Sequence, residues 1–262
     1  MAITAGSRIF VYGGFASNGS TTAAILAFDP ATGQIGTVGA LAVPVHDAAG
    51  VGLGDRTLIF GGGNAVPLSI VQQVDGSAVA HVVGNLPAAR ADLSAVSIGR
   101  SGLVIGGGAS GALDQRILAT EDGVHFRQVG TLLLGVRYPA VAEAGGLVYV
   151  IGGVGATADR SEIQRIDPFT GEVVVIGRMP EPISHASAIS IEGRLLVLGG
   201  RTAREAQDAI WQVDLGTGAT HLVGRLPQPV SDFATAVIDQ TGYLIGGEAD
   251  TQVASIVSIV IR

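Results

Sequence analysis

Six times along this chain an apolar run ends in a Gly-Gly doublet: RIFVYGG, TLIFGG, GLVIGG, LVYVIGG, RLLVLGG and GYLIGG, with first glycines Gly13, Gly61, Gly106, Gly152, Gly199 and Gly246. The spacings are 48, 45, 46, 47 and 47 residues, too regular for independent turns and longer than one hairpin or one βαβ unit. A second landmark keeps the same register: Val or Ile, Gly, any residue, then Leu or Met, with glycines Gly39, Gly84, Gly130, Gly177 and Gly224. Between the two lies a turn of Asp with Gly or Pro, in AFDPATG, QVDGSA, TEDGVH, RIDPFTG and QVDLGTG. Each repeat therefore reads as four short strands. Small residues crowd the first of them, as at Ala48, Ala49 and Gly50, at Ala186, Ser187 and Ala188, and at Ala234 and Ala236, which suits strands converging on a narrow axis. Four-stranded units of about 45 to 50 residues around an axis make a β-propeller. The predicted fold is all-β, a single six-bladed β-propeller domain over residues 1–262, with blades at approximately 1–41, 46–86, 92–132, 138–179, 185–226 and 232–262. Only TAREAQDAIWQ has a helical alternative.

Composition narrows the function classes. Apolar residues make up 47% of the chain and aromatic residues only 5%, so the core is ample and mainly aliphatic. Forty glycines, without a collagen period or Gly/Ser runs, fit many turns between many strands. The formal charge is −7, with 15 arginines, no lysine and no basic cluster, which argues against nucleic acid and anionic lipid as partners. Zero lysine reads as the composition of a GC-rich bacterial genome. Without cysteine there are no disulfides, thiolate nucleophiles or Cys-ligated metals. No uninterrupted apolar stretch is long enough to span a bilayer, and MAITAGSR lacks the charged and long apolar regions of a signal peptide. The sequence predicts a soluble chain with no membrane insertion and assigns no compartment; an extracytoplasmic parent protein is compatible with it.

The doublet, its period and the DPxTG turn one strand later resemble the Kelch repeat, and the resemblance covers essentially the whole chain. Two features of that family are replaced here. The usual Tyr before the turn is Phe28, Val74, Thr120, Ile166 or Val213, and the usual Trp of the fourth strand is missing, since the single Trp211 lies in a third strand. Aliphatic packing takes over from aromatic packing. The resemblance implies peptide or protein binding through the turns that lead into the inner strands and the loops that follow Gly-Gly.

Alignment of MAITAGSRIFVYGG on AVAEAGGLVYVIGG puts Met1 to Ala5 in the inner strand of blade one, and VASIVSIVIR becomes the third strand of blade six. The expected last blade has three strands and closes on blade one by apolar packing, without a strand from the other terminus; the alternative is a natural chain that extends beyond residue 262. SIVSIVI is then an exposed edge of strong β-propensity. A monomer is expected, with pairing of this edge to a second copy as the route to a dimer.

In a propeller the turns into inner strands and the loops after second strands open on one face, around a central funnel. Fourteen residues before the first glycines stand Asp47, Asp92, Tyr138, His185 and Asp232, all polar; one step earlier stand His46, Ala91, Arg137, Ser184 and Ser231, and Arg90 lies sixteen before Gly106. With Phe15, Asn18, Asn64, Arg201, Arg204, Glu248 and Asp250 of the following loops, these are the positions that the Kelch resemblance implies for a ligand-binding pocket, here a funnel mouth of mixed charge. The plainer role for such side chains is to cap turns or bond a neighbouring blade. Asp47, Asp92, Asp232 and His185 have the chemistry of divalent-cation ligands but come from four different blades, so no metal site and no cofactor is predicted. No G-x-S-x-G, H-E-x-x-H, P-loop or EF-hand pattern occurs, and no catalytic residue is assigned. The expected function is a non-catalytic binding module that takes a protein, peptide or glycan in its funnel. One alternative is a carbohydrate-active enzyme like the Kelch-like sialic-acid mutarotases, with Arg90, Arg137 and Arg201 gripping a sugar carboxylate. Another is a scaffold with no ligand.

Overall fold

The computed structural model of the chain describes residues 1–203 and 205–261, so Arg204 and Arg262 lie outside the described residues. The sheets form a six-bladed β-propeller. Blade one is built from Ala2–Ala5, Arg8–Tyr12, Ala24–Asp29 and Gln34–Ala40, and blade two from Ala49–Leu53, Arg56–Phe60, Ile70–Val74 and Ala80–Asn85. Blade three has longer inner strands, Ala91–Ile98 and Ser101–Ala109, followed by Arg116–Thr120 and Arg127–Thr131. Ala140–Ala144, Leu147–Ile151, Glu162–Ile166 and Val173–Arg178 make blade four; Ser187–Ile191, Arg194–Leu198, Ala209–Val213 and Thr220–Arg225 make blade five. Blade six has three strands, Ala234–Ile238, Thr241–Ile245 and Ile256–Val260. No helix occurs among the described residues, so none is long and apolar enough to cross a membrane. The helical alternative for TAREAQDAIWQ gives way to a loop and a strand, because Ile210 and Trp211 pair with Leu198 and Val197 of the strand before.

The doublet is glycine for a reason of packing. After its fourth strand the chain crosses to the next blade and lays a carbonyl on the doublet: Val45, Arg90, Val136, Ile183 and Val230 accept from the N–H of Gly14, Gly62, Gly107, Gly153 and Gly200. A Cβ on Gly61 or Gly152 would collide with the Arg90 or Ile183 carbonyl, and both residues have positive φ, 55° and 61°. The second landmark has an equally local cause. In all five complete blades the third and fourth strands slip register at the residue before its glycine, leaving Val38, Val83, Val129, Ile176 and Val223 as bulges. A bulge twists the outer edge away from further pairing. The glycine beside it lets the Asp turn of the next blade approach, Gly39 against Ala78, Gly84 against Gly123 and Gly177 against Gly218.

Apolar residues fill the spaces between blades. Tyr149, Ile151, Ile163 and Met179 of blade four pack on Leu195, Val197 and Val213 of blade five, and equivalent clusters join the other consecutive blades. Closure between blades six and one is thinner. There Ile9, Phe28 and Ala236 are buried, with Tyr243, Ile245 and Ile256 partly buried against them, and Phe28 meets Tyr243 edge-on at 6.0 Å. Thr4 Oγ1 donates to the Val237 carbonyl at 2.8 Å across the same seam. Among the described residues, blades six and one thus meet through packing and one hydroxyl, with no shared sheet.

Candidate functional site

The five polar positions found by counting back from the glycines share one backbone state. Asp47, Asp92, Tyr138, His185 and Asp232 all have φ between 48° and 62°, a left-handed conformation that costs a non-glycine residue about 1–2 kcal/mol. What holds them there is a chain of main-chain hydrogen bonds around the axis. Asp92 N–H donates to Asp47 C=O at 2.9 Å, Tyr138 to Asp92 at 2.8 Å, His185 to Tyr138 at 3.1 Å and Asp232 to His185 at 3.0 Å. Blades two to six are stitched together at their innermost point, and among the described residues no main-chain bond joins Asp232 to Asp47. One residue upstream, the chain is tied to the loop after Gly-Gly by paired bonds: Arg137 with Val154, Ser184 with Arg201, and Ser231 with Glu248. The two sets of loops therefore open on one face.

Side chains of the ring line a large cavity at that face. It is walled by His46, Asp47, Asp92, Tyr138, His185, Arg201, Asp232 and Glu248, with Phe15 and the small residues of the inner strands. Tyr138 stacks on His185 at 3.9 Å, Arg137 lies 5.7 Å from the Tyr138 ring, and Phe15 stacks on His46 at 4.4 Å. Tyr138 Oη donates to Asp47 Oδ2 at 3.4 Å, and Arg137 Nη1 reaches Asp92 Oδ2 at 3.1 Å. His185 Nε2 lies 3.9 Å from Asp232 Oδ1, and His46 Nε2 4.0 Å from Asp47 Oδ2. Burial pushes the Asp47 carboxyl above its ordinary range, and the Asp92 and Asp232 charges add to that push against the opposing pull of His46. Burial, with Asp47 and Asp92 nearby, likewise raises the Tyr138 phenol, which stays protonated. Three carboxylates thus face one space, and among the described residues only Asp92 of the three is bridged by an arginine.

The other predicted residues stand behind this surface. Ser184 and Ser231 are buried: Ser184 Oγ bonds Asp159 and His185, and Ser231 Oγ donates to Asp232 Oδ2 at 2.7 Å. They orient the ring side chains rather than line the space. Arg90 is fully buried away from the funnel, with Nη2 2.8 Å from Asp114 Oδ2 and Nη1 donating to the carbonyls of Gly106 and Arg116. Burial lowers its pKa to about 10 against the opposing pull of Asp114. The expectation of Arg90 at the funnel mouth is therefore corrected: it holds a column that is Val45, Val136, Ile183 and Val230 elsewhere, all buried. Asn18 caps its own loop through Ser20, and Arg204 lies outside the described residues. Thr21, which bonds His46 Nδ1 at 2.8 Å, and Asp159 went unread in the sequence because their loops have no fixed spacing. No group of three or more Asp, Glu or His is placed to hold a metal ion among the described residues.

A scan of protein-family models returns no match to this sequence, and neither does a search of curated proteins.

Proposed function

We propose that this propeller is a non-catalytic, Kelch-like binding module whose funnel takes a basic side chain of a partner peptide or protein. The observation that carries the reading is the gathering of Asp47, Asp92 and Asp232 on one backbone ring, with Asp47 facing a tyrosine and a histidine instead of an arginine. A guanidinium entering there meets carboxylates for bidentate bonds and the Tyr138–His185 and Phe15–His46 faces for stacking. The −7 net charge favours approach of a cation. For the alternative sugar-carboxylate reading, Arg90 is buried on Asp114 and Arg137 bonds Asp92, so among the described residues it is Arg201 that offers a guanidinium on the cavity wall.

Titration calorimetry with a short arginine peptide, its citrulline counterpart and N-acetylneuraminic acid tests the proposal. The arginine peptide is expected to bind, citrulline to bind on the order of tenfold more weakly or not at all, and Asp47→Asn to weaken the arginine peptide alone. Equal binding of the first two, or binding of the sugar acid only, would overturn it.

A further inference from the structure

Two residues after the first glycine of each doublet stand Phe15, Gly63, Gly108, Val154, Arg201 and Glu248. They form a second tier around the mouth, in the loops that open beside the axial ring. Main-chain bonds fix the tier in place. Arg201 N–H donates to Ser184 C=O at 2.7 Å and Ser184 N–H to Arg201 C=O at 2.9 Å, and Glu248 is paired with Ser231 in the same way. Arg201 is the cation of this tier, and it lines the funnel cavity with Phe15 and Glu248.

Arg201 is set apart by what its side chain does not touch. Arg90 and Arg116 share Asp114, Arg137 has Asp92, Arg178 has Glu162 and Arg225 has Asp208. Among the described residues no carboxylate comes within ion-pair distance of Arg201, although Asp232 and Glu248 line the same cavity. A half-buried guanidinium on a concave wall, with its donors unused, is a receptor for a two-oxygen anion. It stands across the axis from the acidic side of the mouth. Asp47 leads into blade two and Arg201 follows the second strand of blade five, and these two blades face each other in a six-bladed ring. Tyr138 measures the interval. Its ring stacks at 3.9 Å on His185, the residue after the backbone partner of Arg201, while its hydroxyl reaches Asp47 at 3.4 Å. One phenol thus bridges the two sides, a length that one or two residues of extended chain also cover at about 3.3 Å each.

We propose that the segment taken by the funnel carries a carboxylate one or two residues from its basic side chain, with the cation on Asp47 and the carboxylate on Arg201. This pairing rests on the basic-side-chain reading of the funnel and supplies the second half of its ligand. The carboxylate of a C-terminus and that of a glutamate present the same planar pair of oxygens to the guanidinium. The orientation is fixed by the charges around it. A carboxylate turned toward Asp47 meets Asp92 as well, and one displaced toward blade six meets Glu248, so like charges close the other placements.

Titration calorimetry on the full chain tests the pairing with four short peptides. The first has a single arginine and both ends blocked. The second places a glutamate two residues after that arginine, the third has glutamine in place of the glutamate, and the fourth ends in a free carboxylate one residue after the arginine. The second, the fourth or both are expected to bind on the order of tenfold more tightly than the first, and the third to show no gain; a gain in one alone tells side chain from terminus. In Arg201→Gln the gain is expected to vanish, while the blocked arginine peptide binds at least as tightly as before because a like charge has left the wall. Equal binding of all four peptides to the parent chain overturns the pairing, and if that binding still weakens in Asp47→Asn the basic-side-chain reading survives it. A gain that persists with glutamine in the peptide, or in Arg201→Gln, overturns the pairing too. If none of the four binds, both readings fall.

Discussion

Asp47 holds a backbone angle and a charge that both work against the folded state. Its φ is 49°, and its carboxyl titrates above the ordinary value because burial and two neighbouring aspartates disfavour the charged form. A raised carboxyl contributes stability that is fully present below the unfolded pKa and is lost as pH rises through the folded one. Asp47→Asn keeps a residue that tolerates the left-handed angle and removes the charge. The variant is expected to match the parent near pH 3 and to exceed it by about 1 kcal/mol at pH 7, read as a Tm difference that grows with pH. A scan in which the difference stays flat would show that Asp47 is not the strained carboxylate. These positions were legible as polar residues recurring at one offset from the glycines; their φ and ring bonding were not, because a main-chain bond leaves no mark on side-chain identity. Arg90 misled for the opposite reason. Its column is aliphatic in the other blades, and a charge in a core column asks first for a buried partner, which Asp114 supplies.

Within the blades, strands and turns were readable because their causes are local. Asp29, Asp75, Asp122, Asp167 and Asp214 each accept backbone N–H bonds within their own turn, which is why that turn repeats as Asp. The glutamines were not readable. Gln72 and Gln164, in the third strands of blades two and four, look like outward polar residues in an alternating pattern, yet both are buried. Each reaches back to the preceding blade and bonds one residue twice, Gln72 with Val43 and Gln164 with Leu134. The equivalent place in blade six is Val257, which lines a small cavity together with Gln228, the counterpart of Val43. Gln72→Leu, which strands both main-chain groups of Val43, is expected to cost about 2 kcal/mol, and Val257→Gln to add about 1 kcal/mol. Urea midpoints of the two variants check both signs.

Across the whole molecule, the sequence legibly set six blades and a three-stranded last one, since both follow from counting glycines and from where the sixth repeat stops. It did not disclose how unequal the six interfaces are. Among the described residues, a dozen are buried between blades four and five, whereas the seam between six and one buries three. Local opening should therefore begin at that seam. Native-state hydrogen exchange is expected to be on the order of a hundredfold faster, or more, in Ile256–Val260 than in Leu147–Ile151; uniform protection around the ring would contradict it.

Among the described residues the axial run of hydrogen bonds also has a mechanical meaning. A closed hoop of hydrogen bonds fixes its own circumference, while an open run has one soft coordinate, the distance between its ends. Asp47 and Asp232 stand at those ends, so two of the three carboxylates facing the cavity ride on them. The spacing of these carboxylates and the bend of the run are thus one variable.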